Sequence, residues 1–330
     1  MTAALRRVPT LIERLRDGER VVLSGARLVD EDLSGLDLSA FDLSGADLSR
    51  ANLEGAQLVG ANLKGAILHE TNLRGAELAG ADLREAHLES CDAREAGFGR
   101  CQLESASFFG ARLESASFVE VKAHNADFRA CKGEGARFCR AELAGCDFSR
   151  AELRGADFEG ATVGGAHFVE ADVRRARFRA LNHYQDASFL RADVRDVDFS
   201  GAYLLRRHII DTNYLDEFQR KDKFHALLYR VWWLTSDCGR SLTRWALFTA
   251  AVTVAFGFAY SNVPIDFGSH PTALSPWYFS VVTLTTLGYG DVLPSSALSQ
   301  GLVMLQVAVG YFMLGGLISI FANKMARRGD

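Results

Sequence analysis

Residues 41–65 read FDLSG ADLSR ANLEG AQLVG ANLKG, five successive segments of five residues with leucine at the centre of each. Mostly bulky apolar centres continue in phase from Leu23 to Phe178 and, after one extra residue, from Phe189 to Leu204, which makes 36 repeats. A spacing of five fits neither the helical period of 3.6 nor the strand period of 2. Each repeat must therefore combine a short extended edge with a corner, and a run of repeats must coil.

This segment resembles the pentapeptide-repeat family. The resemblance implies a right-handed β-solenoid of roughly square cross-section, with four repeats in each coil and the central and small residues inside. At about 4.8 Å per coil, the resulting rod would be on the order of 43 Å long. Residues 21–204 are predicted to form the solenoid. Residues 1–20 carry apolar residues at helical spacing and are predicted to form a helical cap over the first coil.

Phenylalanine recurs every ten residues from Phe98 to Phe178. In a four-sided coil these positions lie on two opposite faces. The centres between them are smaller on average, as a narrow interior at native packing density requires. The small inward position also holds four of the six cysteines, which are therefore expected to be core thiols rather than metal ligands: Cys91, Cys101, Cys131 and Cys146.

The last quarter of the chain has a different composition. Residues 245–323 contain no Lys, Arg or Glu. Within this segment, residues 245–264 and 298–322 are apolar stretches long enough to cross a bilayer. Basic residues flank the pair on one side only, so the positive-inside rule predicts a multi-pass protein with both termini in the cytoplasm. The first twenty residues lack the apolar core of a cleavable signal peptide.

The junction at residues 205–240 loses the five-residue period and is rich in charged and aromatic residues. Trp232 and Trp233, followed by Arg240 and Arg244, predict an amphipathic helical linker at the membrane interface. A soluble helical neck explains the same residues equally well.

Between the apolar stretches, residues 285–291 read TTLGYGD, which matches the potassium-channel signature. Residues 241–330 resemble the pore module of two-helix bacterial potassium channels. The resemblance implies an outer helix at about 241–264, a re-entrant pore helix at 276–286, a selectivity filter at 286–291 and an inner helix at about 297–323. The predicted fold class is therefore a β-solenoid followed by a membrane α-helical pore module.

The resemblance assigns the filter, which would hold the permeant K⁺, to Thr286, Leu287, Gly288, Tyr289 and Gly290. A dehydrated K⁺ needs oxygens in place of its water shell, and consecutive carbonyls supply them when all point to one axis. Asp291 would concentrate cations at the outer mouth. Irregular backbone at membrane depth must be buried in protein, and each chain carries one filter motif, so a homotetramer in the lipid bilayer is expected.

The inner helix carries the candidate gate. Gly310 lies at the usual hinge position of the family, with packing between helices as the alternative. Leu314, Ile318 and Ala322 are four residues apart and are predicted to line the inner pore. Val282 occupies a pore-helix position that is often Glu in the family, which puts a carboxylate pair behind the filter in doubt.

Several function classes are disfavoured. Residues 21–204 carry a net charge of −9, which argues against nucleic-acid binding. An Arg-rich span typical of voltage sensors is absent from the sequence. The sequence also lacks a nucleotide-binding loop, a nucleophile elbow and metal-ligand spacing, so neither enzymatic activity nor a cofactor is expected.

The favoured function is a tetrameric potassium-selective channel of a bacterial inner membrane. Its cytoplasmic solenoid would regulate the pore when an unknown ligand or protein binds, or would serve as an assembly scaffold. One alternative is a membrane-anchored acidic solenoid that mimics DNA or binds proteins. Another is a weakly selective cation channel.

Overall fold

The structure is a computed structural model that describes residues 11–16, 21–269 and 271–326. The chain divides into two compact units, Met1–Tyr214 and Leu215–Asp330. The helices are α1 Leu11–Arg16, α2 Tyr203–Arg220, α3 Lys223–Ser236, α4 Leu242–Tyr260, α5 Ser275–Leu284 and α6 Ala297–Ala326. Two short strands, β1 Ile265–Asp266 and β2 Leu293–Pro294, pair in antiparallel fashion.

The first unit is a four-sided β-solenoid, as predicted. Parallel bridges join residues twenty apart, beginning with Arg27 to Asp47, so each coil contains four repeats of five residues. The Leu28 amide donates to the Asp47 carbonyl at 2.7 Å, and equivalent bonds recur along the rod. The backbone polar groups of one coil are thus satisfied by the next coil.

Aromatic rings fill much of the solenoid interior. Phe98 stacks on Phe118, one coil away, with ring centroids 4.8 Å apart, and meets Phe108 edge-on at 5.6 Å. The same alternation continues to Phe178, so the rings form two stacks that meet edge-on along the axis. Each such pair contributes about 0.5–1.5 kcal/mol beyond burial, which favours a rigid rod.

Helix α2 covers the last coil. Leu205 and Ile209 are buried in the solenoid core cluster. The Asn213 side chain accepts a hydrogen bond from the Arg191 amide at 2.7 Å and donates one to the Phe189 carbonyl at 3.2 Å. Backbone groups of the exposed coil edge are therefore paired with a side chain instead of a further coil.

The prediction that Leu204 is the centre of a last repeat is wrong. Leu204 lies in α2 with 47% of its surface exposed, because the helix begins at Tyr203 and ends the coil two residues earlier. At the other end, most of the predicted cap at residues 1–20 falls outside the described residues. Within α1, Leu15 is buried with the solenoid core.

The second unit contains the end of α2, helices α3 to α6 and the two short strands. Leu242–Tyr260 and Ala297–Ala322 are long and apolar enough to cross a membrane. The two helices are joined where the Trp245 indole N–H donates to the Met313 carbonyl at 3.1 Å. The outer helix ends at Tyr260, four residues before the predicted limit, because the chain turns there toward β1.

Helix α3 leaves an apolar side uncovered in the single chain. Phe224, Leu227 and Leu234 are each more than half exposed, and Trp233 is 47% exposed. The Arg244 guanidinium lies over the Trp233 ring, 5.0 Å from its centroid. An exposed apolar side beside basic residues is typical of a helix at a lipid interface.

Candidate functional site

Helix α5 leads into residues 285–291, which contain the filter predicted from the sequence and are called the filter segment. It ends at Leu284, and the Thr285 hydroxyl then donates to the Val281 carbonyl at 2.8 Å. The Leu287 amide donates to the Val282 carbonyl at 3.0 Å. These bonds fix the first residues of the filter segment to the end of α5.

The sign of the backbone dihedral φ alternates along residues 286–290. Thr286, Gly288 and Gly290 have φ of +55°, +48° and +77°, whereas Leu287 and Tyr289 are outside the positive-φ region. In extended backbone, successive carbonyls point to opposite sides. When residues of positive and negative φ alternate, successive peptides can turn the same way and bring their carbonyls to one side. Glycine adopts the left-handed conformation without strain, which explains the residue type at 288 and 290.

Asp291 closes the segment. Its carboxylate accepts a hydrogen bond from the Tyr278 hydroxyl at 3.2 Å. The next residue, Val292, is buried in a cluster with Tyr260 and Phe279. The end of the filter segment is therefore held to α5 by the Tyr278 hydrogen bond, and to α4 and α5 by the packing of Val292.

In the single chain the filter segment is open on one side. Every residue from 285 to 291 is exposed, and Leu287 and Tyr289 are exposed by 59% and 67%. In a membrane, a backbone segment of this kind is stable only if other protein surrounds it.

The inner-helix candidates lie on α6, which runs unbroken through Gly310. A Cβ at Gly310 would overlap the Leu284 carbonyl, and one at Gly316 would overlap the Trp245 ring. Close helix packing therefore accounts for both glycines, whereas Gly315 has open space around its Cβ position.

The predicted inner-pore residues Leu314, Ile318 and Ala322 are all exposed, as residues that face a central axis would be in a single chain. Leu314 borders a cavity of about 500 Å³ that also reaches Thr285 and Thr286. The structure thus places one of the three beside the inner end of the filter segment.

Two residues of this region were missed from sequence. Tyr278 binds Asp291, and Gln306 is fully buried on α6 with hydrogen bonds to Tyr260 and Ser280. The available signal for Gln306 was a polar residue inside an apolar stretch. Val282, at the pore-helix position that is often Glu in the family that the sequence resembles, is buried.

The cysteines lie where the repeat predicted them. Cys91, Cys101, Cys131 and Cys146 are buried and free. Burial raises the pKa of the Cys101 thiol to about 12, which makes it unreactive at neutral pH. Among the residues that the structure describes, no group of three or more His, Cys, Asp or Glu side chains could hold a metal ion.

Comparisons with known proteins identify both parts of the chain. The pentapeptide-repeat family matches in 8 copies between residues 19 and 168, and an ion-channel family matches residues 247–327. Two-pore potassium channel 1 of Arabidopsis thaliana is 30% identical over 97 residues, which are 29% of this chain and 27% of that protein. The chain therefore spans about a quarter of the length of this relative.

Several solved structures are similar to this chain, among them the pentapeptide-repeat protein HetL. HetL, involved in heterocyst differentiation regulation in the cyanobacterium Nostoc, is 26% identical, with a TM-score of 0.28 over 53% of this chain and 83% of HetL. A plasmid-mediated fluoroquinolone resistance protein is 22% identical, with a TM-score of 0.29 over 56% of this chain and 95% of that chain.

Proposed function

Because the chain joins pentapeptide repeats to an ion-channel domain, we propose that it is a potassium-selective channel of a bacterial inner membrane. The observation that carries the proposal is the alternation of backbone hand from Thr286 to Gly290. Alternating signs of φ support a row of carbonyls on one side of this exposed segment, which is the arrangement that a dehydrated K⁺ requires. Neither matched family is one of enzymes.

Conduction follows from the backbone. The carbonyls of Thr286, Leu287, Gly288 and Tyr289, with the Thr286 hydroxyl, replace the water shell of K⁺ at successive sites. The C-terminal end of α5 at Leu284 carries the negative end of the helix dipole and favours a cation below the filter. Asp291 raises the local cation concentration at the outer mouth.

Four chains complete the filter. The exposed Leu287 and Tyr289 side chains need neighbours, and one filter strand per chain offers K⁺ oxygens from one side only. Arg240 before α4, Arg244 in the first turn of α4 and the basic residues after position 323 favour a topology with both termini in the cytoplasm. In this topology the solenoid is cytoplasmic.

The solenoid regulates the pore in response to a cytoplasmic ligand or protein, or it serves as an assembly scaffold. A channel that lacks residues 1–204 separates these roles. An unchanged single-channel open probability with fewer assembled tetramers would assign it to assembly, and a changed open probability in correctly assembled tetramers would assign it to regulation.

The proposal is tested with purified full-length protein. Its native mass in detergent should equal four chains, and liposomes that contain it should release K⁺ down a gradient. A dimer or monomer without K⁺ release would instead favour a membrane-anchored binding solenoid. Equal fluxes of K⁺ and Na⁺ would favour a weakly selective cation channel.

A further inference from the structure

A buried polar network joins the three helices of the channel domain. The Gln306 side-chain amide on α6 donates to the Ser280 hydroxyl at 2.8 Å and to the Ser280 carbonyl at 3.0 Å. Its oxygen accepts from the Tyr260 hydroxyl of α4 at 2.6 Å. The Ser280 hydroxyl donates in turn to the Thr253 carbonyl at 2.7 Å.

Such a network is costly unless it is complete. Gln306, Ser280 and Tyr260 are all fully buried, in a part of the chain where an unpaired polar group would have no water to bind. Here the Gln306 oxygen and both amide hydrogens have partners. Leucine would fill the same volume without any polar requirement, so packing alone does not explain glutamine at this position.

The network lies one helical turn before the end of α5 that leads into the filter segment. Four residues after Gln306, the backbone of Gly310 lies so close to the Leu284 carbonyl that a Cβ would overlap it. Leu284 is likewise four residues after Ser280. One face of α6 therefore lies along α5 for a full turn, with Gln306 on Ser280 at one level and Gly310 on Leu284 at the next.

The end of α5 sets the position of the first filter carbonyl. Leu284 is the last residue of the helix, and the Leu287 amide is bonded back to Val282. Val282 itself has no polar group on its side chain to hold the filter. Any tilt or shift of α5 is therefore transmitted to Thr286 and the residues after it.

We propose that Gln306 is a positioning residue for the selectivity filter. It fixes α5 between α4 and α6, and thereby holds the carbonyls that discriminate between ions. The inference rests on the proposed channel function, since it assigns the glutamine a role in selectivity rather than in stability alone.

The test uses the full-length channel in planar bilayers and compares Gln306→Leu with Gln300→Leu. Gln300 lies on the same helix but is exposed, so it is a matched control. We expect Gln306→Leu to lower the K⁺ over Na⁺ permeability ratio about tenfold, because Gln306 makes three hydrogen bonds in each chain and only part of their loss reaches the filter carbonyls. Gln300→Leu should keep the wild-type ratio. The ratio is measured in single open channels, so it does not depend on how much protein folds.

Milder variants keep the test decisive if Gln306→Leu fails to assemble. Ser280→Ala removes one partner and Tyr260→Phe removes the other hydroxyl, and each should lower the ratio by a smaller factor. The change in Gln306→Leu/Ser280→Ala should be less than the product of the two single changes, because both remove the same contact. Where Gln306→Leu does not assemble, the same comparison is made with Ser280→Ala and Tyr260→Phe.

Two outcomes separate the inference from the function on which it rests. A wild-type protein that conducts no K⁺ would overturn the channel proposal itself. A selective wild-type channel whose Ser280→Ala and Tyr260→Phe variants keep the wild-type ratio would overturn the role of the network and leave the channel intact.

Discussion

Replacing Gly288 by alanine is the sharpest perturbation of the filter. Gly288 has a φ of +48°, and an added Cβ would meet no atom within 4 Å in the single chain. The penalty is therefore conformational. A left-handed L-residue costs about 1–2 kcal/mol, so four copies cost roughly 4–8 kcal/mol in a tetramer. The backbone can avoid this cost only by changing hand, which turns a carbonyl away from the ion.

The assay is K⁺ efflux from liposomes that contain equal amounts of assembled protein. Since 1.4 kcal/mol corresponds to a factor of ten, Gly288→Ala should slow efflux by at least about 100-fold. Gly301→Ala is the control, because Gly301 lies in α6 with open space around its Cβ position. It should leave efflux unchanged. Efflux by Gly288→Ala within twofold of wild type would show that the filter does not need a left-handed residue at 288.

Three further predictions follow. Phe138→Ala should lower the unfolding free energy by about 3–5 kcal/mol, because it removes a buried ring from the aromatic stack. Phe109→Ala removes a ring that is 45% exposed and should cost less than about 1 kcal/mol. Equal losses of stability in thermal melts of the two variants would show that the stack is unimportant. Hydrogen bonds from Ser200, and then from Arg179, lower the pKa of Asp198 to about 2, so its stabilisation is full above the unfolded pKa of about 4 and is lost as pH falls toward 2. The unfolding free energies from denaturant titrations at pH 5 and at pH 2.5 should therefore differ less in Asp198→Asn than in wild type. Tyr278→Phe removes the hydroxyl that binds Asp291 and should speed the decay of K⁺ current under sustained flux, and an unchanged decay would show that this bond does not hold the outer mouth.

The repeating half of the fold was predictable because each repeat places the same residue types at the same positions. Centres such as Leu63 are buried, and bridges between neighbouring coils pair their backbone polar groups. Prediction failed where the period meets another element. Leu204 fits the pattern as a centre, yet α2 has already begun, since covering the last coil with Leu205 buries apolar surface that another repeat would leave open.

The channel half was predictable through its motif and not through its packing. The signature is the basis for the prediction that residues 286–290 form the filter. The contacts that hold them could not, because Gln306 and Ser280 are 26 residues apart and meet only when α5 and α6 pack. The packing role of Gly310 was likewise hidden, since a glycine is equally compatible with a hinge and with a close approach.

Selection of K⁺ by backbone carbonyls is tested most directly by the reversal potential of the purified wild-type channel between K⁺ and Na⁺ solutions in a planar bilayer. We expect a reversal potential far from zero, with the K⁺ side negative. A reversal potential near zero with equal concentrations of the two ions on opposite sides would contradict it, because a row of carbonyls that replaces the water shell of K⁺ should not admit both ions equally.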